Sequence, residues 1–104
     1  MILYNVTTKI LPDVHDEWLH WMKTVHVPDV MLTGHFSTYR LCKLDKMEEE
    51  EDAITYVFQY TAASRNELEN YFNNHASRLR EDVVKKFQDK FIAFRTVMEL
   101  VDEG

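Results

Sequence analysis

The first ten residues alternate. Ile2, Tyr4, Val6 and Ile10 fall on one side of an extended chain, and Leu3, Asn5, Thr7 and Lys9 fall on the other, the period of two that marks a half-buried strand. Pro12 and Asp13 end this pattern and open a helix, with Asp13 the expected N-cap. Val14, Trp18, Trp21, Met22 and Val25 recur at helical offsets and form one apolar stripe. Pro28 is expected to end the helix, because the residue before proline disfavours the helical region. A short turn from Pro28 to Leu32, closed by Gly34, should follow.

Residues 35–43, with Phe36, Tyr39 and Leu41, read as a second strand. Asp45, Glu48, Glu49, Glu50, Glu51 and Asp52 come next. Like charges this dense repel and stay hydrated, so the run reads as an exposed hairpin loop. It lacks the ligand spacing and central glycine of a calcium loop. Residues 53–61 give the clearest strand. Ile54, Tyr56, Phe58 and Tyr60 share one face; Ala53, Thr55, Val57, Gln59 and Thr61 share the other. Ser64 and Glu67 suggest a capping box for a helix over 64–88. Its stripe is Leu68, Tyr71, Phe72, His75, Leu79, Val83 and Phe87. Asn73 and Asn74 are poor helix formers at its centre and predict a break or bend near 73–77. Residues 90–101 form the last strand, with Ile92, Phe94, Met98 and Leu100 facing one way.

The order βαββαβ folds most simply as a ferredoxin-like α+β domain. Four antiparallel strands carry both helices on one face. Its 104 residues fit one domain, 1–104. Side-chain size along the strands places Tyr4, Val6, Ile54, Tyr56, Phe58, Ile92 and Phe94 beneath the helices. Leu3, Val57, Phe91 and Val97 then remain as an apolar patch on the open sheet face, which predicts a homodimer through that face.

Composition mainly excludes. The net charge of -6 opposes binding to a phosphate backbone. Two glycines, Gly34 and Gly104, are too few for a phosphate-cradling loop. One cysteine, Cys42, permits neither an intrachain disulfide nor an iron–sulfur cluster. The N-terminus lacks the pattern of a secretory signal, and no apolar run reaches ~20 residues, so the expectation is a cytoplasmic chain without a membrane span.

Several segments together carry a resemblance: Tyr4-Asn5-Val6-Thr7, His15-Asp16-Glu17-Trp18-Leu19-His20-Trp21-Met22, His26-Val27-Pro28-Asp29-Val30, His75-Ala76-Ser77-Arg78-Leu79-Arg80 and Phe91-Ile92-Ala93-Phe94-Arg95. The chain resembles, over nearly its whole length, a small uncharacterised bacterial family of dimeric α+β barrel type. The resemblance implies the fold and dimerisation, and assigns no reaction, substrate or cofactor. In that family the position of Ser77 is often proline, which implies a helix break near 74–77.

His15 and His20 lie about 140° apart around a helix and cannot share a ligand. Asp16 and His20 are one turn apart but have no neighbouring ligands, so no metal and no cofactor are expected. Two histidines stand beside the expected helix breaks. His26 precedes Pro28 at a helix end that would favour the imidazolium. His75 lies on the apolar stripe of the second helix. Together with Trp21, Tyr71 and Arg78 they are the candidate lining of a ligand cleft between helices and sheet. Asn5, Thr7, Gln59 and Arg95 are placed on the open sheet face, as a hydrogen-bonded dimer surface or a ligand-anchoring patch. Three functions follow: a homodimeric small-molecule-binding protein; a cofactor-independent oxygenase or isomerase with a cleft histidine as base; and single-stranded RNA binding. The last requires Tyr4, Tyr56 and Phe58 to point away from the helices.

Overall fold

A computed structural model describes residues 1–45 and 53–104. The acidic hairpin loop expected at 48–52 lies outside the described residues. Strands β1 (Ile2–Ile10), β2 (Thr38–Lys43), β3 (Ile54–Ala62) and β4 (Phe91–Glu99) form one antiparallel sheet in the order β2-β3-β1-β4. Central β1 pairs along its whole length with β3 on one side and β4 on the other. Tyr4 lies opposite Tyr60 and Val97; Val6 lies opposite Phe58 and Arg95. Directly opposed residues share a face. The helix-facing core therefore takes Ile2, Tyr4 and Ile10 from β1, and Tyr56, Phe58, Tyr60 and Ala62 from β3, all buried.

The same register corrects the reading of β4. Phe91, Ala93, Arg95 and Val97 turn toward the helices, while Ile92, Phe94 and Met98 turn to the open face, 70%, 52% and 43% exposed. Ile92 and Phe94 are not beneath the helices, and Phe91 and Val97 do not belong to the open patch. β4 is apolar on both faces, so its own pattern does not choose between them; pairing with β1 does. Tyr4, Tyr56 and Phe58 are buried under the helices. The aromatic platform needed for RNA stacking is therefore not formed by these residues.

Two helical arms cover the sheet. The first runs through a short 3-10 turn (Pro12–Val14), α1 (His15–Trp21), a π-helical turn (Met22–His26) and α2 (Val27–Leu32). The second comprises α3 (Arg65–Tyr71), a π-helical turn (Phe72–Ala76) and α4 (Ser77–Lys86). The first arm does not end at Pro28, and the irregularity expected near 73–77 in the second is a π-helical turn over Phe72–Ala76. The Val27 N–H bonds the Met22 carbonyl, five residues back. Pro28 then falls in the first turn of α2, where proline is tolerated. Ser77 opens α4 in the same way, so a proline there would fit without ending the arm. Across each wide turn the buried series steps by five, from Met22 to Val27 and from Tyr71 to Ala76, before resuming helical spacing at Val30 and Leu79. Val25, which uninterrupted helical spacing placed on the stripe, is exposed.

The caps also differ in part. Asp13 does not cap α1; its carboxylate accepts a 2.8 Å hydrogen bond from Lys90 Nζ. Ser64 Oγ accepts from the Glu67 N–H at 3.2 Å, giving half of the expected capping box. The Glu67 carboxylate turns instead to His35. Gly34, at φ +81°, closes α2 with its N–H on the Met31 carbonyl.

The innermost side chains include Trp18, Phe58, Ile10, Leu68, Leu79, Val27 and Val30. Phe58 touches both layers of this core, with its ring 5.8 Å from that of Trp18. Phe58→Ala is expected to cost about 3–5 kcal/mol of folding stability, read from the urea midpoint. A loss below about 1 kcal/mol would contradict the packing described.

Candidate functional site

Between the helical arms and the β1–β4 half of the sheet lies a cavity of about 340 Å³. This is at the small end of the usual ~300–1,000 Å³ for ligand pockets. Val6, Met22, Val30, Val83, Phe91 and Ala93 make most of its wall apolar. The polar groups reaching it are Tyr4, Thr8, His26, Tyr60, Tyr71, Arg80 and Arg95. Among the described residues, no carboxylate lines it.

Each polar group has an identifiable structural source. The register with Val6 turns Arg95 inward; its exposure places it where the cavity meets solvent. Arg80 projects from α4 and donates from Nη2 to the Tyr4 hydroxyl at 3.1 Å. Its guanidinium lies 5.7 Å from the Phe72 ring centre, while its Nε is buried without a partner. Among the described residues, Arg95 forms no hydrogen bond or ion pair, and neither arginine meets a carboxylate. Trp18 lines the same cavity, and its indole N–H is buried and unpartnered.

His26 occupies the last position of the first π-helical turn, its ring stacked 5.8 Å from Trp21. Burial pushes its pKa down to about 4, and the Arg95 charge adds to this, against the opposing pull of Asp29 and Asp82. At neutral pH it is an uncharged imidazole, not the helix-capping imidazolium expected from sequence. Burial also raises the pKa of Tyr60 and of Tyr71, so both phenols stay protonated.

The structure brings together His26 and Tyr71 of the candidate set. Trp21 stacks on His26 from behind, and neither Arg78 nor His75 is part of the lining. His75 lies 5.4 Å from the His35 ring, and His35 Nδ1 is 2.8 Å from the Glu67 carboxylate. His26 and His75 therefore do not share this cavity. On the open face, Gln59 Nε2 donates to Asn5 Oδ1 at 3.0 Å and Asn5 Nδ2 to Thr96 Oγ1 at 3.4 Å. Thr7 and Gln59 share that face through cross-strand pairing; Arg95 does not, because of the β4 register. The sequence pattern does not single out Arg80, Arg95, Tyr4 and Tyr60 as cavity groups. Arg95 shared its parity with Phe91 and Val97 in the sequence, but only pairing with β1 tells which face that parity occupies.

A second polar chain lies outside the cavity lining. The part-buried Tyr56 hydroxyl is 2.7 Å from His15 Nε2, and His15 Nδ1 is 2.8 Å from the exposed Asp16 carboxylate. Burial, then the Asp16 charge, raises the Tyr56 pKa and keeps the phenol a donor. Asp16 thus partners His15 rather than His20. Among the described residues, no group of three or more His, Cys, Asp or Glu is placed to hold a metal ion. Nor is any helix there long and apolar enough to cross a membrane.

A ferredoxin-like sheet with both helical arms on one face and a cavity beneath them places the molecule among α+β barrel proteins. The family described as a domain of unknown function, DUF4286, matches residues 1–101, and the chain belongs to it. No curated protein sequence matches the chain. Solved structures share the fold at low identity. The Arabidopsis thaliana protein At3g17210 is 11% identical with a TM-score of 0.74, covering 100% of this chain and 99% of its own. A dimeric ferredoxin-like protein from an uncultured marine organism is 12% identical at 0.71, covering 100% and 98%. SnoaB from Streptomyces nogalater, described as a cofactor-independent oxygenase, is 8% identical at 0.68, covering 98% and 95%.

The low pKa of His26 has a consequence for stability. In the folded chain His26 takes a proton only near pH 4, whereas unfolded it does so near 6.5. Between these values the unfolded state holds more protons, so stability rises with pH and is lost on acidification. His26→Gln is expected to flatten the dependence of the urea midpoint between pH 6.5 and 4. An unchanged acid-side loss in the variant would show that His26 is not its source.

Proposed function

We propose that this protein is a homodimer that binds a small molecule in the cavity between the helical arms and β1–β4. The observation that carries the reading is the composition of that cavity: an apolar wall, a few convergent polar groups and one uncharged histidine. Dimerisation is supported by the open sheet face. Ile92, Phe94 and Met98 are exposed there, and Leu3 and Val57 share the face by register. Two structurally similar proteins are described as dimeric ferredoxin-like proteins.

A cofactor-independent oxygenase or isomerase is the second reading. It is favoured by the neutral His26 in the cavity and by the likeness to SnoaB. Against it stands the weakness of that base. A conjugate acid near pKa 4 makes proton abstraction by His26 less favourable by roughly 3 kcal/mol than for an ordinary imidazole. His26 is better suited to accepting a hydrogen bond than to holding a proton, so binding leads.

The neutral dye Nile red is expected to bind the native protein, with one cavity site per protomer. Ala93→Trp, which fills the cavity from β4, should remove that site while unfolding remains cooperative. Dye binding unaffected by Ala93→Trp would remove the cavity from consideration. By light scattering at tens of micromolar the protein should have twice the chain mass, and Phe94→Asp should reduce it to one chain. A native monomer would reject the dimer.

A further inference from the structure

We propose that the cavity's ligand is an acid: an apolar molecule carrying one planar carboxylate, held between Arg80 and Arg95. This rests on the small-molecule reading above and narrows it to a chemical class. The argument is one of missing partners. Among the described residues, two guanidiniums reach one cavity, no carboxylate lines it, and neither cation has an acidic partner. A guanidinium drawn toward an apolar space without a counterion is unfavourable, and a planar carboxylate suits its forked donors.

The remaining polar groups point the same way. Tyr60 and Tyr71 present protonated phenols, and Trp18 an indole N–H without an acceptor. Donors thus outnumber acceptors in the cavity. The acceptor that protonation would remove, His26, stays neutral, and the Arg95 charge favours that form. Were it cationic it would only add to the excess positive charge. As it stands it can receive a hydrogen bond from a hydroxyl or N–H on the ligand body. The wall contributed by Val6, Met22, Val30, Val83 and Phe91 accounts for the rest of the molecule. These apolar contacts, and the absence of a glycine loop, disfavour a strongly hydrated phosphate ester.

The test compares naphthoate with naphthamide, which match in shape and differ in charge, by isothermal titration on the full chain. Naphthoate is expected to bind at least tenfold more tightly, the scale of a charge-assisted hydrogen bond. Arg95→Gln, at the solvent-facing side of the cavity, should weaken naphthoate about tenfold and leave naphthamide unchanged. Arg80→Met should do the same; because Arg80 also holds Tyr4, its thermal unfolding is measured alongside. Naphthamide binding as tightly as naphthoate would overturn the acid while leaving the small-molecule reading intact. A naphthoate preference that survives Arg95→Gln and Arg80→Met would overturn the assignment to these arginines. Absence of Nile red binding to the native protein, together with failure of both naphthyl compounds at millimolar concentration, would reject the underlying reading and this inference with it.

Discussion

Every assignment of a side chain to core, cavity or open surface depends on the pairing of β1. It is hydrogen-bonded on both edges from residue 2 to residue 10, so it sets the parity of its two neighbours at once. In a pleated sheet a slip of one residue exchanges the two faces. For β3 such a slip would turn Thr55, Val57 and Gln59 toward the helices in place of Tyr56, Phe58 and Tyr60, which the core could not absorb. For β4 the apolar content of the two faces is nearly balanced, and β1 decides. The result is Arg95 in the cavity and Phe94 on the open face, from two adjacent residues of one strand.

That constraint explains what could be read from the chain. β1 and β3 carry a strong alternation of large apolar and polar residues, and their helix-facing sets are found where the alternation puts them. The element order and the positions of the four strands follow from similar local signals. β4 could not be oriented because Phe91, Ala93 and Val97 compete with Ile92, Phe94 and Met98. The information that settles it is in the partner strand. The cavity depends on the same information: parity within β4 does not say that Arg95 faces the helices, and a charged residue such as Arg80 on a helix carries no local signal that it reaches a cavity. The histidines show the opposite difficulty. His26 and His75 each sit near a recognisable irregularity, but whether they converge is a matter of how two arms cross the sheet.

The cavity places unlike environments side by side. His26 and the two phenols are uncharged because burial disfavours their ionised forms. The guanidiniums cannot take that route, since arginine does not give up its proton within proteins. They keep their charge, one at the solvent-facing side and one shared between a phenol and an aromatic face. Positive charge is thereby concentrated where the wall is otherwise apolar, in a chain whose overall charge is negative. Local arrangement and net charge need not agree, and for a small ligand it is the local one that matters.

The two π-helical turns make chain length, as distinct from residue identity, a structural variable. Each holds one residue more than the α-helical turn it replaces. Loss of Thr24 or Asn73, both exposed, would let the arm close into regular helix with little local cost. Every following residue would nevertheless be turned by about 100° around the axis. Val27 and Val30, or Ala76 and Leu79, would leave the core, and Arg80 would leave the cavity. Positions where almost any side chain is acceptable are thus positions where a deletion is not.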